Sequence, residues 1–554
     1  MRPALLPPSS LIEVETRRLA RAEIVWQDGT DVVDPTQVYC RPQRYEADDL
    51  YETETRVEWA DRYGGTGTGA AGGSGRCTAL NGLQTKGVGV TPLVAPVADP
   101  FHASGTMMLF EAATEALFAG VYQASLPFGA VPVHAVILTG GRYSQPLGDD
   151  ADARCVRSLA IRPFVPRPAH FMRNFMYPDG NRAAGPTAHG ITVDCWRTEQ
   201  AMACLATNFK TSLTLSASEN DEMALLDAGL RELTRRLAWQ CAAGFAKRLP
   251  HGTLSCSNIA LNGAYLDFGV SNFLPSYRRL CWAHGQEPWT EAMWPLRTVL
   301  SLRQQLDKYR PLILGGAIVS CDDLTEEYGR HFQQRLAIEM AKMAGLTEDM
   351  ASACPAELLR TWLKAMRSTW TRGAQERFVT DSGRLADGRA APPPRQLGRF
   401  DLNAILAAAG PCGDAESMDR ALAPLLGDPT LRREFVNAAS EVRRWLRNLV
   451  EPEGSSNLDA YLARQALRKN ADLPALKREK SAGLDLLKPF RQLEIAGNTA
   501  AIGPAIDRAL VQARHVLADL DPALPGDTGV AQLVGVTRPP RPPLASYGHH
   551  TARA

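Results

Sequence analysis

The stretch His251-Gly-Thr-Leu-Ser-Cys-Ser-Asn-Ile-Ala-Leu-Asn-Gly-Ala-Tyr-Leu-Asp-Phe-Gly269 holds the densest set of residues able to do chemistry. Asn262-Gly263 lies between two short apolar runs, the strongest local signal for a β-hairpin, because a type I′ turn needs positive φ at both central residues. A two-residue turn there sets Leu261 opposite Ala264, Ala260 opposite Tyr265, Ile259 opposite Leu266 and Asn258 opposite Asp267. Directly opposed residues have Cβ atoms about 4.5–5.5 Å apart. An amide oxygen and a carboxylate at that separation can share one hard cation. Mg²⁺ suits such a pair, since it takes one or two protein oxygens and completes its shell with water and phosphate. A surface hairpin with two polar residues at its end would carry the same letters.

Other candidates lie upstream. Residues 61–76 are glycine-rich, and such a run brings backbone N–H groups close to an anion or serves as a flexible linker. Lys86 is an isolated lysine in a β context; taken alone it reads as a solvated strand residue. Glu111 and Glu115 are four apart and share one helix face. Arg162 and Arg167 read either as surface ion-pair residues or as charge stabilisers for a polyphosphate. His251 is expected to be a structural loop histidine. The ten histidines include no H-E-x-x-H spacing, which argues against a zinc site.

The elements that must position these groups are legible from periodicity. Strand character around Lys86 precedes a helix over 103–125, where Met107, Met108, Phe110, Leu117, Phe118 and Val121 form an apolar face and Pro127 stops it. Strands are expected at 130–139 and 155–161. That order suggests a small α+β lobe. From about 195 the chain turns helical, with a long helix over 221–248, a short β segment at 254–268, helices over 290–370 and a further helical block over 400–523. Residues 383–397 read as a linker, and the Pro-rich end as a disordered tail.

The chain has 554 residues, 45% hydrophobic and 22% charged, which fits a globular protein of several units and excludes global disorder. Lysine plus arginine (61) balances aspartate plus glutamate (60), so nothing favours a nucleic-acid or membrane-surface partner. No apolar run is long enough for a bilayer, and the N-terminus has no signal-like apolar region. Eleven scattered cysteines without a C-x-x-C suggest free thiols, so the expected location is cytoplasmic.

Asp267-Phe-Gly269 matches the Asp-Phe-Gly of protein kinases, whose aspartate holds Mg²⁺, and the glycine run and Lys86 lie upstream in kinase order. Over roughly 70–340 the chain resembles the SelO (YdiU) family, kinase-fold proteins that transfer AMP to proteins. Gly73-Ser-Gly-Arg76 resembles the family's G-D-G-R nucleotide loop, and Thr85-Lys-Gly-Val-Gly-Val-Thr-Pro92 its L-K-G-x-G-x-T-P. Ser104-Gly105 stands where the family has Asp-Gly. Arg162-Pro-Phe-Val-Pro-Arg167 followed by His170-Phe171 resembles a pair of phosphate-facing arginines, two residues closer together than usual, which favours Arg162. His251 to Asn258 and Leu266-Asp-Phe-Gly269 resemble H-G-x-x-N-T-D-N and L-D-Y-G.

The resemblance implies an α+β, bilobal protein-kinase-like fold with a helical C-terminal extension. Its units would be an N-terminal extension (1–60), a nucleotide-binding N-lobe (61–165), a mostly helical C-lobe carrying the metal hairpin (166–380), a helical C-terminal region (400–523) and a disordered tail (524–554). It implies ATP and Mg²⁺, with Lys86 on the phosphates, Glu115 holding Lys86, and Gly73, Gly75, Arg76, Ser104, Gly105, Arg162 and Arg167 around the nucleotide. Asn258 and Asp267 would hold the metal. The implied activity is AMP transfer to a protein or peptide acceptor. The chain departs from the family at the base position, where Ser257 replaces an aspartate, and a neutral hydroxyl cannot take a proton as a carboxylate does. An acceptor that is already a carboxylate needs no base. The competing readings are a silent ATP-binding pseudokinase, a partner subunit of a peptide-modification system that docks through the helical C-terminal region, and a phosphotransferase. Cys281 lies near the family's redox-linked cysteine, but the last cysteine is Cys412, so the redox pair is expected to be missing.

Overall fold

The computed structural model describes residues 5–30, 33–44, 46–65, 72–94, 104–142, 155–174, 188–216, 221–274, 291–310, 318–373, 401–449, 455–481 and 484–518. The expected linker at 383–397, Cys281, the tail at 524–554 and residues 66–71 of the glycine run lie outside them.

The fold is mixed α+β around an antiparallel sheet. Its strands are β1 (Leu11–Leu19), β2 (Glu23–Gln27), β3 (Tyr39–Cys40), β4 (Tyr51–Asp61), β5 (Cys77–Leu80), β6 (Leu83–Lys86), β7 (Met107–Met108), β8 (Ala135–Arg142) and β9 (Val156–Pro163). They run in the order β2-β8-β9-β6-β5-β4-β1-β3, with β7 also on β9. Residues 1–60 are therefore not a separate extension. β1 pairs with β4 from Leu11↔Asp61 to Leu19↔Tyr51, so the expected boundary at 60/61 falls inside a strand. A turn at Asn81-Gly82, with φ of 51° and 81°, joins β5 to β6 and sets Leu80 opposite Leu83.

Helix α1 (Leu109–Ser125) packs against the sheet and is buried along most of its length, including Leu109, Leu117, Phe118 and Tyr122. Further on come α2 (Ala188–Ala203), α3 (Leu205–Leu213), α4 (Glu222–Ala246), α5 (Met293–Tyr309), α6 (Cys321–Met343), α7 (Glu348–Ala353) and α8 (Ala356–Gly373). Asp221 caps α4 by accepting the Ala224 N–H at 2.9 Å. Leu226, Leu230, Leu233 and Leu237 follow at helical spacing and are fully buried. The segment expected as a short β element at 254–268 forms isolated bridges only, Ile259↔Tyr265 and Ala130↔Tyr265.

The block at 400–523 divides in two. Helices α9 (Leu402–Ala409), α10 (Ala415–Leu422), α11 (Pro429–Leu449) and α12 (Ser455–Lys469) share a second core with α6–α8 around Trp362, Phe435 and Tyr461. The chain then forms a hairpin, β10 (Arg478–Ser481) with β11 (Leu484–Leu487), which no helical reading anticipates. Helices α13 (Lys488–Ile495) and α14 (Ile502–Leu517) return to the main core and lie against α1. No helix among the described residues is long and apolar enough to cross a membrane.

Candidate functional site

Strand β6 buries the wrong side chains for a plain sheet. Gln84 and Lys86 are 1% and 2% exposed, whereas Leu83 and Thr85 are half-buried. Alternation puts Gln84 and Lys86 on one face, and the register with β9 sets Gln84 opposite Arg162 and Lys86 opposite Ala160. That face looks toward α1. An ammonium buried without partners costs on the order of several kcal/mol, so Lys86 requires anions around it.

Two carboxylates supply them. Lys86 Nζ donates to Glu115 on α1 and, at 2.5 Å, to Oδ1 of Asp267. Glu111, one turn before Glu115, takes Arg76 Nη2 at 2.7 Å, and Arg76 Nη1 reaches the Thr106 carbonyl at 3.2 Å. The two glutamates of one helix face thus grip one cation each from the β5–β6 region. Neither solvates the surface.

The arginines are tied together from behind. Gln84 Oε1 accepts from Arg162 Nε at 2.9 Å and from Arg167 Nη2 at 3.0 Å. Arg162 also lies 3.6 Å from Glu115, and Arg167 lies 3.7 Å from Asp61 and donates to the Ser257 carbonyl at 3.1 Å. Asp61 is buried and receives Ser74 Oγ at 2.6 Å, Gln84 Nε2 at 3.2 Å and His170 Nε2 at 2.9 Å. His170 Nδ1 accepts the Arg167 N–H at 2.9 Å, which leaves the proton on Nε2 for Asp61. Burial pushes the His170 pKa down, so this imidazole is neutral.

The charges respond accordingly. Burial works to raise the Asp267 carboxyl, but Lys86, then Arg162 and Arg76, outweigh it and hold the group well below the usual carboxylate range. Glu115 moves the other way, because burial and the neighbouring Asp267 charge exceed the pull of Lys86 and Arg162. Burial opposes the charge on Lys86, and Asp267 and Glu115 restore it, leaving its pKa raised. Asp267 is also the open side of the cluster: its side chain is 35% exposed against 0% for Glu115. Its backbone has φ of +70°, the left-handed region that aspartate tolerates better than most residues.

The hairpin register differs from the expected one. Ile259 pairs with Tyr265, Ala260 N donates to Ala264 O, and Leu266 N donates to Asn258 O, so Asn258 stands opposite Leu266 and Asp267 lies one residue beyond. The turn has three residues, with Gly263 N bonded to Ala260 O and positive φ at Gly263 only. Asn262 uses its side chain to accept Ala264 N at 3.0 Å, and Arg236 holds the Asn262 carbonyl at 3.0 Å. These bonds favour a type I turn with a glycine bulge over the type I′ turn. Asn258 turns its amide nitrogen to the Thr253 carbonyl at 2.8 Å, and its oxygen lies 3.5 Å from the Ser257 hydroxyl. Ser257 Oγ pairs with Ser255 Oγ at 2.8 Å. No hydrogen bond joins Asn258 to Asp267 among the described residues.

His251 is a structural residue, as expected. Its Nε2 bonds the Leu266 carbonyl at 3.0 Å, its ring packs against Tyr122, Tyr265 and Phe268, and burial lowers its pKa to about 4. Glu291 accepts the N–H groups of His251 at 3.0 Å and Gly252 at 2.6 Å, and burial raises it to about 7.

Gly73 and Gly105 have reasons of their own in the fold. Both take positive φ, and a Cβ would fall 2.2 Å from Asp61 O or Val90 N respectively. A Cβ on Gly75 meets nothing closer than 3.1 Å. Ser104 accepts from the Thr106 N–H and hydroxyl, next to the carbonyl that takes Arg76. The structure therefore gathers Arg76, Lys86, Glu115, Arg162, Arg167 and Asp267 into one cluster, with Ser257 at its edge. It leaves Gly73, Gly75, Ser104, Gly105 and the Asn258 amide in adjoining loops.

Sequence reasoning passed over Gln84, Asp61 and Glu291. Gln84 had a usable signal, since it alternates with Lys86 on one strand; Asp61 and Glu291 had none. The described residues contain no group of three or more His, Cys, Asp or Glu placed to hold a metal ion. The chain matches no family model and no curated protein, so the likeness to the SelO family rests on the motifs themselves.

Proposed function

We propose that the protein is a SelO-like, protein-kinase-like nucleotidyltransferase that uses Mg-ATP to transfer AMP to a protein or peptide acceptor. One observation carries the reading: Lys86, buried in the sheet lobe, is bridged to Glu115 of α1 and to Asp267 of a distant loop. A buried lysine flanked by one enclosed and one accessible carboxylate suits a polyphosphate with a divalent ion. The donor set fits Mg²⁺, which needs few protein oxygens: an ionised, partly open Asp267 carboxylate, with the Asn258 oxygen in the adjoining segment. When bound, Mg²⁺ would supply charge neutralisation to the phosphates.

In this reading Glu115 keeps Lys86 oriented as a point charge for phosphate. Asp267, the accessible carboxylate, would hold the ion together with the Asn258 oxygen. Arg162 and Arg167, held side by side by Gln84, face the charge that builds on the phosphates. An acceptor oxygen attacks the α-phosphorus, a new P–O bond forms, and the bond to the bridging oxygen breaks with its electron pair leaving on pyrophosphate. Ser257 offers no carboxylate base, which favours an acceptor that is already a carboxylate, as in activation of a peptide C-terminus. The direct Lys86–Asp267 contact, together with Ser257, favours a second reading: a silent ATP-binding pseudokinase or partner subunit, with α9–α12 as its contact for another protein. The described cysteines are free thiols, which suits a cytoplasmic setting.

The test uses ATP labelled on the α- or γ-phosphate, with the candidate acceptor and Mg²⁺. The proposal expects α-label in the acceptor and release of pyrophosphate, both lost in Asp267→Ala. Transfer of γ-label with release of ADP would make the protein a phosphotransferase. Thermal stabilisation by Mg-ATP with no labelled product would make it a pseudokinase.

A further inference from the structure

The chain that leaves α12 crosses back over the molecule and touches the supports of both carboxylates that flank Lys86. Arg478, the first residue of β10, donates from Nε to the Ser271 carbonyl and from Nη2 to the Gly269 carbonyl, each at 2.7 Å. Those carbonyls belong to the loop that follows Asp267. A rigid planar guanidinium can hold two acceptors at a fixed separation, which a flexible ammonium cannot.

On its other side the same loop is laid along 248–251. Ser271 Oγ donates to His251 O at 3.2 Å, and the Asn272 and Leu274 N–H groups reach Pro250 O and Arg248 O at 3.2 and 2.9 Å. Arg248 in turn donates to Lys469 O and Ala471 O of the returning chain, at 3.3 and 3.2 Å. Further on, α14 sets Leu510 against Gly120 of α1, where a Cβ would lie 2.5 Å from Leu510 Cδ2. Glu494 of α13 accepts the Val156 N–H of β9 at 2.9 Å.

Asp267 sits in a backbone conformation that persists only where the surroundings fix it. We infer that Arg478 is a positioning residue for Asp267: by holding the Gly269 and Ser271 carbonyls it keeps the Asp267 carboxylate turned toward Lys86 and the metal position. Its Nε and Nη2 donate to backbone carbonyls of the loop, and it acts on Asp267 through that loop. The inference rests on the Mg-ATP reading of the site.

The experiment titrates the full chain with ATP, in Mg²⁺ and in chelator, as wild type, Arg478→Ala and Arg478→Lys, with a thermal melt of each. Mg²⁺ raises the affinity of the wild type. Arg478→Ala loses about tenfold or more of that gain, the usual scale for removing a group that orients a metal ligand, while its affinity in chelator is unchanged. Arg478→Lys, which keeps one donor, recovers part of the gain. A folded Arg478→Ala protein with the full Mg²⁺ gain overturns the role. If Arg478→Ala does not fold, an undiminished gain in Arg478→Lys overturns it instead. A wild-type chain that gains nothing from Mg²⁺ defeats the Mg-ATP reading itself, and the positioning role with it.

Discussion

Buried His251 and half-buried Glu291, behind the loop that leads to Asn258, respond to pH in opposite senses. His251 has its folded pKa lowered by burial from 6.5 to about 4, so the unfolded chain takes up that proton first. Its contribution to stability is present above 6.5 and is lost as pH falls toward 4. Glu291 has its folded pKa raised by burial from 4.5 to about 7, so the folded chain keeps a proton that the unfolded chain releases. That contribution is present below 4.5 and is lost as pH rises through 7. Between these limits the two slopes offset each other. Glu291→Gln removes one of them and keeps an acceptor oxygen for one of the His251 and Gly252 N–H groups. The melting temperature of this variant should climb more steeply than that of the wild type between about pH 4.5 and 6.5; parallel curves would contradict the assignment. The Lys86–Glu115 contact was legible only through the family resemblance, since Lys86 taken alone reads as a solvated strand residue. The pairing of Gln84 with two arginines was not, because it depends on which strand lies beside β6, and that is decided by contacts far apart in sequence.

The same dipeptide gives two different turns. Asn81-Gly82 takes positive φ at both positions and closes the β5–β6 hairpin, placing Lys86 at the strand end opposite Cys77. Asn262-Gly263 does so only at the glycine, because Arg236 holds the Asn262 carbonyl and the asparagine side chain is used within the turn. Turn chemistry read from sequence is thus correct until a tertiary partner competes for the same carbonyl. The one-residue change in register means that pleat opposition does not bring Asp267 to the cluster; its own left-handed backbone and its Lys86 bond do. Element existence was clear for α1 and α4, whose apolar spacing is regular. The β10–β11 hairpin was hidden inside a helical block because it is short. Glycine substitutions separate conformation from contact. A Cβ on Gly82 meets nothing within 4 Å, so Gly82→Ala should cost only the left-handed penalty, about 1–2 kcal/mol. Gly105→Ala should cost more, because its Cβ would strike the Val90 backbone and move the loop whose Thr106 carbonyl holds Arg76. Urea unfolding measures both, and equal losses would contradict this account.

Across the whole molecule, the chain closes on itself. Trp26 of β2 donates to Asp507 of α14 at 3.0 Å, so a strand near the start packs on a helix near the end of the described chain, and that helix lies against α1. This closure was not readable from the sequence, since 1–60 reads as an extension and 400–523 as one helical block; what the first strands share with α13 and α14 is a common place around the sheet. The order of glycine run, strand lysine, helix glutamate and loop aspartate was readable, and these are the groups, the glycine run apart, that meet around Lys86. A crystal structure with Mg²⁺ and a non-hydrolysable ATP analogue would show whether Lys86 and Asp267 receive a nucleotide. The expected result is the ion on Asp267 with the Asn258 oxygen nearby, Lys86 still on Glu115 but now against phosphate, and the α-phosphate facing the open side. An unchanged Lys86–Asp267 contact with the nucleotide bound elsewhere, or not at all, would contradict it.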